Sequence, residues 1–178
     1  MRVAAVLAGL LAAAPLPFGL ALGPSALLAG DAGIAISESA RIQGAEARRL
    51  VDWFDRKYDG EVNAYLLHEK LEKRAQGLGS PDPAALRAGR DHLRWHLDYM
   101  AWLLESRDGL AGPRYTLADI AAAAHLSCAD YLGDVPWDAF EPVKHWYQRV
   151  KCRPAFRGLL TDKLPGTPPS AHYADLDF

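Results

Sequence analysis

From Ala45 onward apolar positions recur at helical spacing between charged ones. Leu50, Trp53, Phe54, Tyr58, Val62, Tyr65 and Leu66 make one stripe that closes on the charged run Glu69 to Arg74. The pattern predicts a long amphipathic helix with a charged C-terminal half. A Gly/Ser/Pro loop, Gly77 to Pro81, stops it, and Asp82 followed by Pro83 starts the next helix. Leu86, Leu93, Leu97, Met100 and Leu104 form the stripe of that second helix, with Trp95 and Trp102 beside it, so the two helices are expected to lie antiparallel.

Gly109 to Pro113 then turns the chain into the stretch Tyr115 to Ile120. Thr116 is placed to cap a helix N-terminus, and Asp119, three residues on, to reach back to the amide of the cap. The helix body, Ala121 to Cys128, is apolar nearly all round, which predicts burial among other helices. Phe140, Val143, Tyr147 and Val150 mark a further helix with Trp146 on its shoulder, and Arg153-Pro154-Ala155-Phe156 opens a short last one. Pro165, Pro168 and Pro169 end helical structure after Lys163, leaving a tail that closes on His172-Tyr173-Ala174-Asp175-Leu176-Asp177-Phe178.

The N-terminal part reads differently. Met1 to Leu22 imitates a secretory signal, but its positive region is one arginine, Pro15 and Pro17 break its apolar run, and the small residues Ala14 and Gly23 are each followed by proline, a poor cleavage context. A remnant or a misplaced start is the stronger reading, and the run is too short and broken to span a bilayer. Ala26 to Ala29, a turn at Gly30 to Gly33, and Ile34 to Ile36 predict a β-hairpin, after which Ser37 or Glu38 opens a helix. The expected division is therefore an N-terminal segment, 1–44, an all-α domain, 45–163, and a tail, 164–178.

Composition narrows the chemistry. With 178 residues, half of them apolar, and a formal charge of -2, the chain fits one domain with appendages and offers no field that would attract nucleic acid or an anionic membrane. Cys128 and Cys152 follow no metal-ligand spacing and read as buried small apolar residues. His92 and His96 lie four apart on one helix face without an accompanying ligand pattern, so no metal is expected.

The helix order, the Thr116-Leu117-Ala118-Asp119 cap and the later Trp146 and Arg153 to Phe156 resemble the all-α C-terminal domain of the glutathione transferase superfamily. Arg48 to Asp55, His125 to Trp137 and His172 to Phe178 are more specifically similar to the FtsZ-localized protein A family, glutathione-transferase-like cell-division proteins of alphaproteobacteria. The resemblance implies a mainly α fold, a C-terminal-like helical bundle preceded by a short β-hairpin remnant of a thioredoxin-like domain. Glu38 and Ser39 fall where the superfamily's acid-serine pair holds the γ-glutamyl group, so glutathione is the one cofactor the resemblance allows. Ala26 stands where the cis-proline is expected, and Met1 to Leu22 contains no recognisable first βα unit with an activating Ser, Tyr or Cys. No catalytic residue is identified, since a thiolate needs a donor held close to it.

Two functions follow as expectations. One is an interaction protein at the cytoplasmic division site, binding FtsZ polymers through the helical domain and through Tyr173, Asp175, Leu176, Asp177 and Phe178, with homodimers expected of full-length relatives; the alternative for the same tail is to fold back on the bundle. The other is a transferase or small-molecule binder with Trp53, Tyr58 and Tyr65 lining an apolar pocket. With the thioredoxin-like layer incomplete, the face of the first two long helices that would meet it is expected to stay exposed and to promote self-association.

Overall fold

Leu50, Phe54, Tyr58, Val62 and Leu66, spaced by four residues each, are all fully buried. In an α-helix of 3.6 residues per turn each step of four swings the stripe by roughly 40°, so five such positions would spiral away from a fixed core. Changes of winding correct the drift. Helix α1 (Gly30–Asp52) passes into a π-helical stretch (Trp53–Asn63), then α2 (Ala64–Leu67), a second π-helical stretch (His68–Glu72) and α3 (Lys73–Gln76). The wider i→i+5 winding under-rotates where the α turns over-rotate, and the stripe stays in line. Gly77 ends the rod with φ 67°, and the Leu78 N–H closes on the Lys73 carbonyl at 2.9 Å.

The structure, a computed structural model, describes the backbone of residues 30–178 and the side chains of residues 40–178. The chain divides into two compact units, 1–42 and 43–178, and the second carries the bundle and the tail.

Asp82 caps α4 (Pro83–Leu104) by accepting from the Ala84 N–H at 2.9 Å. Pairings run in opposite chain directions, Arg49 with Tyr99, Trp53 with His96 and Tyr65 with Gly89, so the rod and α4 are antiparallel. Against the rod packs α5 (Leu117–Tyr131), buried on nearly every side as its composition demands. A 3-10 turn (Trp137–Ala139), α6 (Glu141–Lys151) and α7 (Pro154–Leu160) complete the bundle.

One carboxylate ties the N-terminal end of α5 to its surroundings. Asp119 is fully buried. Its Oδ2 accepts from the Thr116 amide at 2.7 Å and hydroxyl at 3.1 Å, while Oδ1 accepts from the Leu110 amide and the Trp146 indole, each at 2.9 Å. The capping residue is thus also the anchor of the preceding loop and of α6.

Two expectations are corrected. Gly30 to Gly33 and Ile34 to Ile36 belong to α1, not to a hairpin turn and strand, and α1 starts at Gly30 instead of Ser37 or Glu38. A lone hairpin is marginal without a sheet to join, whereas a helix satisfies its backbone locally; among the described residues only the isolated bridges Gly109–Gly112 and Leu164–Thr167 are β-like. Ala26 to Ala29 and the signal-like run lie outside the described residues. Cys152, expected buried, is exposed at the end of α6, and only Cys128 is buried.

Candidate functional site

The C-terminal end of α5 and the tail build one polar and aromatic centre. Asp130 lies in the last turn of α5, fully buried, with Oδ1 2.9 Å from both the Trp137 Nε1 and the His172 Nε2. Lys151 closes α6 and is equally buried; its Nζ stands 3.9 Å from Asp130 Oδ2 and donates to the His172 carbonyl at 3.2 Å. Burial holds the Asp130 carboxyl above the usual carboxylate range, against the pull of Lys151 and His172, and burial lowers the Lys151 ammonium against the pull of Asp130. Each charge is costly alone, and each is the reason the other is tolerated.

The tail completes this centre. Ser170 donates its amide to the Tyr131 carbonyl at 2.9 Å and its hydroxyl to the Asp130 carbonyl at 2.7 Å, capping the free end of α5. Tyr131 donates to the Thr167 carbonyl at 2.7 Å and its hydroxyl accepts from the Leu164 amide at 2.9 Å. Tyr173 is buried edge-on against Tyr131 at 5.0 Å. Phe178 sits 5.0 Å from the Trp137 ring and 5.2 Å from the His172 ring, with Lys151 Nζ 4.1 Å from its centroid.

The five tail residues singled out in the sequence therefore divide. Tyr173, Leu176 and Phe178 turn inward, while Asp175 and Asp177 stay exposed, Asp175 accepting from the Asp177 amide at 3.0 Å. Tyr173, Leu176 and Phe178 thus follow the folded-back alternative, and Asp175 and Asp177 face solvent.

The three pocket candidates separate. Tyr58 is wholly in the core, Tyr65 is exposed beside His92, and Trp53 is half-buried. Trp53 begins a row of nearly parallel rings along α4, stacked on Trp95 at 5.6 Å, with Trp95 to Tyr99 at 6.5 Å and Tyr99 to Trp102 at 6.0 Å. Lys57 lies over Trp53 and Trp95. Beneath the row His96 is buried, accepting from the Trp53 indole at 3.2 Å and paired with Glu61 at 3.0 Å; burial lowers its pKa to about 4, so the ring is neutral.

Glu38 and Ser39 lie inside α1, well past its first turn, so the amides there are bonded within the helix and do not form the free helix start that a γ-glutamyl carboxylate would need. No group of three or more His, Cys, Asp or Glu suited to a metal occurs among the described residues. The Cys128 thiol is pushed up to about 12 by burial and is no nucleophile.

Sequence reasoning missed Asp130, Lys151 and His172 as a set. A signal existed in an acid set in the Ala-rich α5 and a lysine beside the apolar stripe of α6, but their partner lies in a tail without periodicity.

The profile of the glutathione S-transferase C-terminal domain matches residues 81–154. FtsZ-localized protein A of Caulobacter vibrioides is 62% identical over 134 residues, 75% of this chain and 59% of that protein. The structure of FzlA from C. crescentus matches with TM-score 0.76 and 60% identity, over 77% of this chain and 61% of that one. A glutathione S-transferase from Sinorhizobium meliloti matches with TM-score 0.72 and 41% identity, over 83% of this chain and 68% of that one. The chain thus spans about three-fifths of the length of FtsZ-localized protein A.

Proposed function

From the premise that this chain belongs to the glutathione S-transferase family, with FtsZ-localized protein A among its relatives, we propose that it is a cell-division interaction module that binds FtsZ polymers at the cytoplasmic division site. The 62% identity to a protein named for its localization with FtsZ carries the proposal. The docked tail supports it chemically. Tyr173, Leu176 and Phe178 fix the tail to the bundle, and Asp175 and Asp177 are held out as a charged surface whose conformational entropy is already reduced.

Cosedimentation with FtsZ polymers tests this reading. The chain is expected in the pellet with polymer, and Asp177→Lys is expected to weaken that binding by about tenfold, because reversal of an interface charge adds repulsion to the lost attraction. A chain that stays in the supernatant at every FtsZ concentration overturns it. The second reading, glutathione binding, draws on the 41% identity to the Sinorhizobium protein; retention on glutathione resin with elution by free glutathione would support it.

A further inference from the structure

Lys151 is fully buried at the end of α6, and the tail closes over its ammonium. Its Nζ has one hydrogen bond among the described residues, to the His172 carbonyl at 3.2 Å, and lies 4.1 Å from the centroid of the Phe178 ring. From the bundle itself come Asp130 Oδ2 at 3.9 Å and the ring of Tyr147, one turn back on α6, at 5.5 Å. With the tail lifted away the ammonium meets water. Docking of the tail and burial of this charge are therefore one event.

The tail is lightly built beside the bundle it lies on. Of residues 164–178 only Tyr173 is buried, the others being half-buried or exposed. Its hydrogen bonds to the bundle are few: Leu164 and Thr167 on the Tyr131 hydroxyl, Ser170 on the end of α5, and the Phe178 main-chain oxygen on the Gln148 side chain at 3.0 Å. Closing it orders a segment that buries little apolar surface and strips water from a charged group. Segments with so few buried contacts open well below the free energy of global unfolding. A joint is present as well, because Thr161, Asp162 and Lys163, which follow α7, are all exposed. The tail can swing there without disturbing a helix.

We propose that residues 164–178 are a strap that opens and closes on the bundle as one unit, latched by Lys151 through the His172 carbonyl and the Phe178 ring. Closed, it holds Asp175 and Asp177 in fixed positions; open, it uncovers the Lys151–Asp130 pair to water. The strap rests on these contacts alone and does not depend on the FtsZ reading.

Native-state hydrogen exchange on the full chain, read by NMR, tests the proposal. The Leu164, Ser170 and Tyr173 amides are expected to exchange through one common opening, about a hundredfold or more faster than amides inside α4 yet slower than in an unfolded peptide. Lys151→Met removes the charged donor and leaves Asp130 without its cation in the closed state. Those three amides should then lose about tenfold or more of their protection while the amides of α4 keep theirs. Ser170→Ala leaves α6 intact and should lower the protection of Leu164 and Tyr173 by one common factor. Strap amides that exchange only together with α4, strap amides with no protection at all, or a Ser170→Ala effect that spares Leu164 overturns the strap. Undiminished protection in Lys151→Met, or a loss shared equally by α4, overturns the latch.

Discussion

His96 shows how one buried side chain couples stability to pH. Its ring is sealed between the rod and α4, accepting from Trp53 and paired with Glu61, and burial lowers its pKa from 6.5 to about 4. A base whose folded pKa is lowered takes up its proton more readily in the unfolded chain, so its contribution is intact above about pH 6.5 and is lost as pH falls toward 4. Between pH 7.5 and 5 this group alone is expected to reduce stability by roughly 1–2 kcal/mol. Urea midpoints at the two pH values measure the loss, and His96→Leu should flatten the difference while lowering stability at both. Asp119 is a buried carboxylate with four donors around it. Its link to Thr116 was legible because the two are three residues apart; its links to Leu110 and Trp146 were not, because only packing brings them there.

At the scale of elements, close approach of the rod and α4 rests on the absence of a side chain at Gly89. A Cβ built there would lie 2.9 Å from the Tyr65 Cβ and 3.1 Å from the Leu66 Cδ2. The first of these atoms is fixed to its backbone and cannot step aside. Gly89→Ala would gain up to about 1 kcal/mol of helix propensity and meet an overpacking cost of about 1–3 kcal/mol. The expected balance is a net loss of about 1–2 kcal/mol, read from the shift of the urea midpoint at unchanged m-value; a more stable variant would mean that the helices separate without cost. The stripe itself was legible as helical, but the π-helical stretches were not, since the need for them appears only when Leu50, Phe54, Tyr58, Val62 and Leu66 must all face one core.

At the scale of the whole molecule, the aromatic row is a large exposed apolar surface among the described residues. Trp95 is 50% exposed and Trp102 59%, with half-buried Tyr99 between them. Rings of this size contribute strongly when covered, and their alignment along one helix offers a surface that a second copy can match. The chain is expected to associate in a concentration-dependent way on analytical ultracentrifugation, and the double change Trp95→Glu with Trp102→Glu should shift it to monomer. A wild-type monomer at every concentration, without binding of a dye for exposed apolar surface, would count against this expectation. No described helix is long and apolar enough to cross a membrane, so the row is not part of a spanning segment.

Local and periodic information settled the helices of the bundle, the cap of α5, the loop at Gly77 to Pro81 and the end of helical structure after Lys163. Each depends on residues within a few positions of one another, where spacing alone constrains the backbone. Spacing misled where it lacked a partner: Gly30 to Ile36 read as a hairpin, yet the backbone is helical in α1. Tertiary structure alone decided which way each tail residue faces and what Asp130, Lys151 and His172 do together. Those residues lie on three separate segments, and the buried charges of Asp130 and Lys151 are tolerated only because packing sets each near the other.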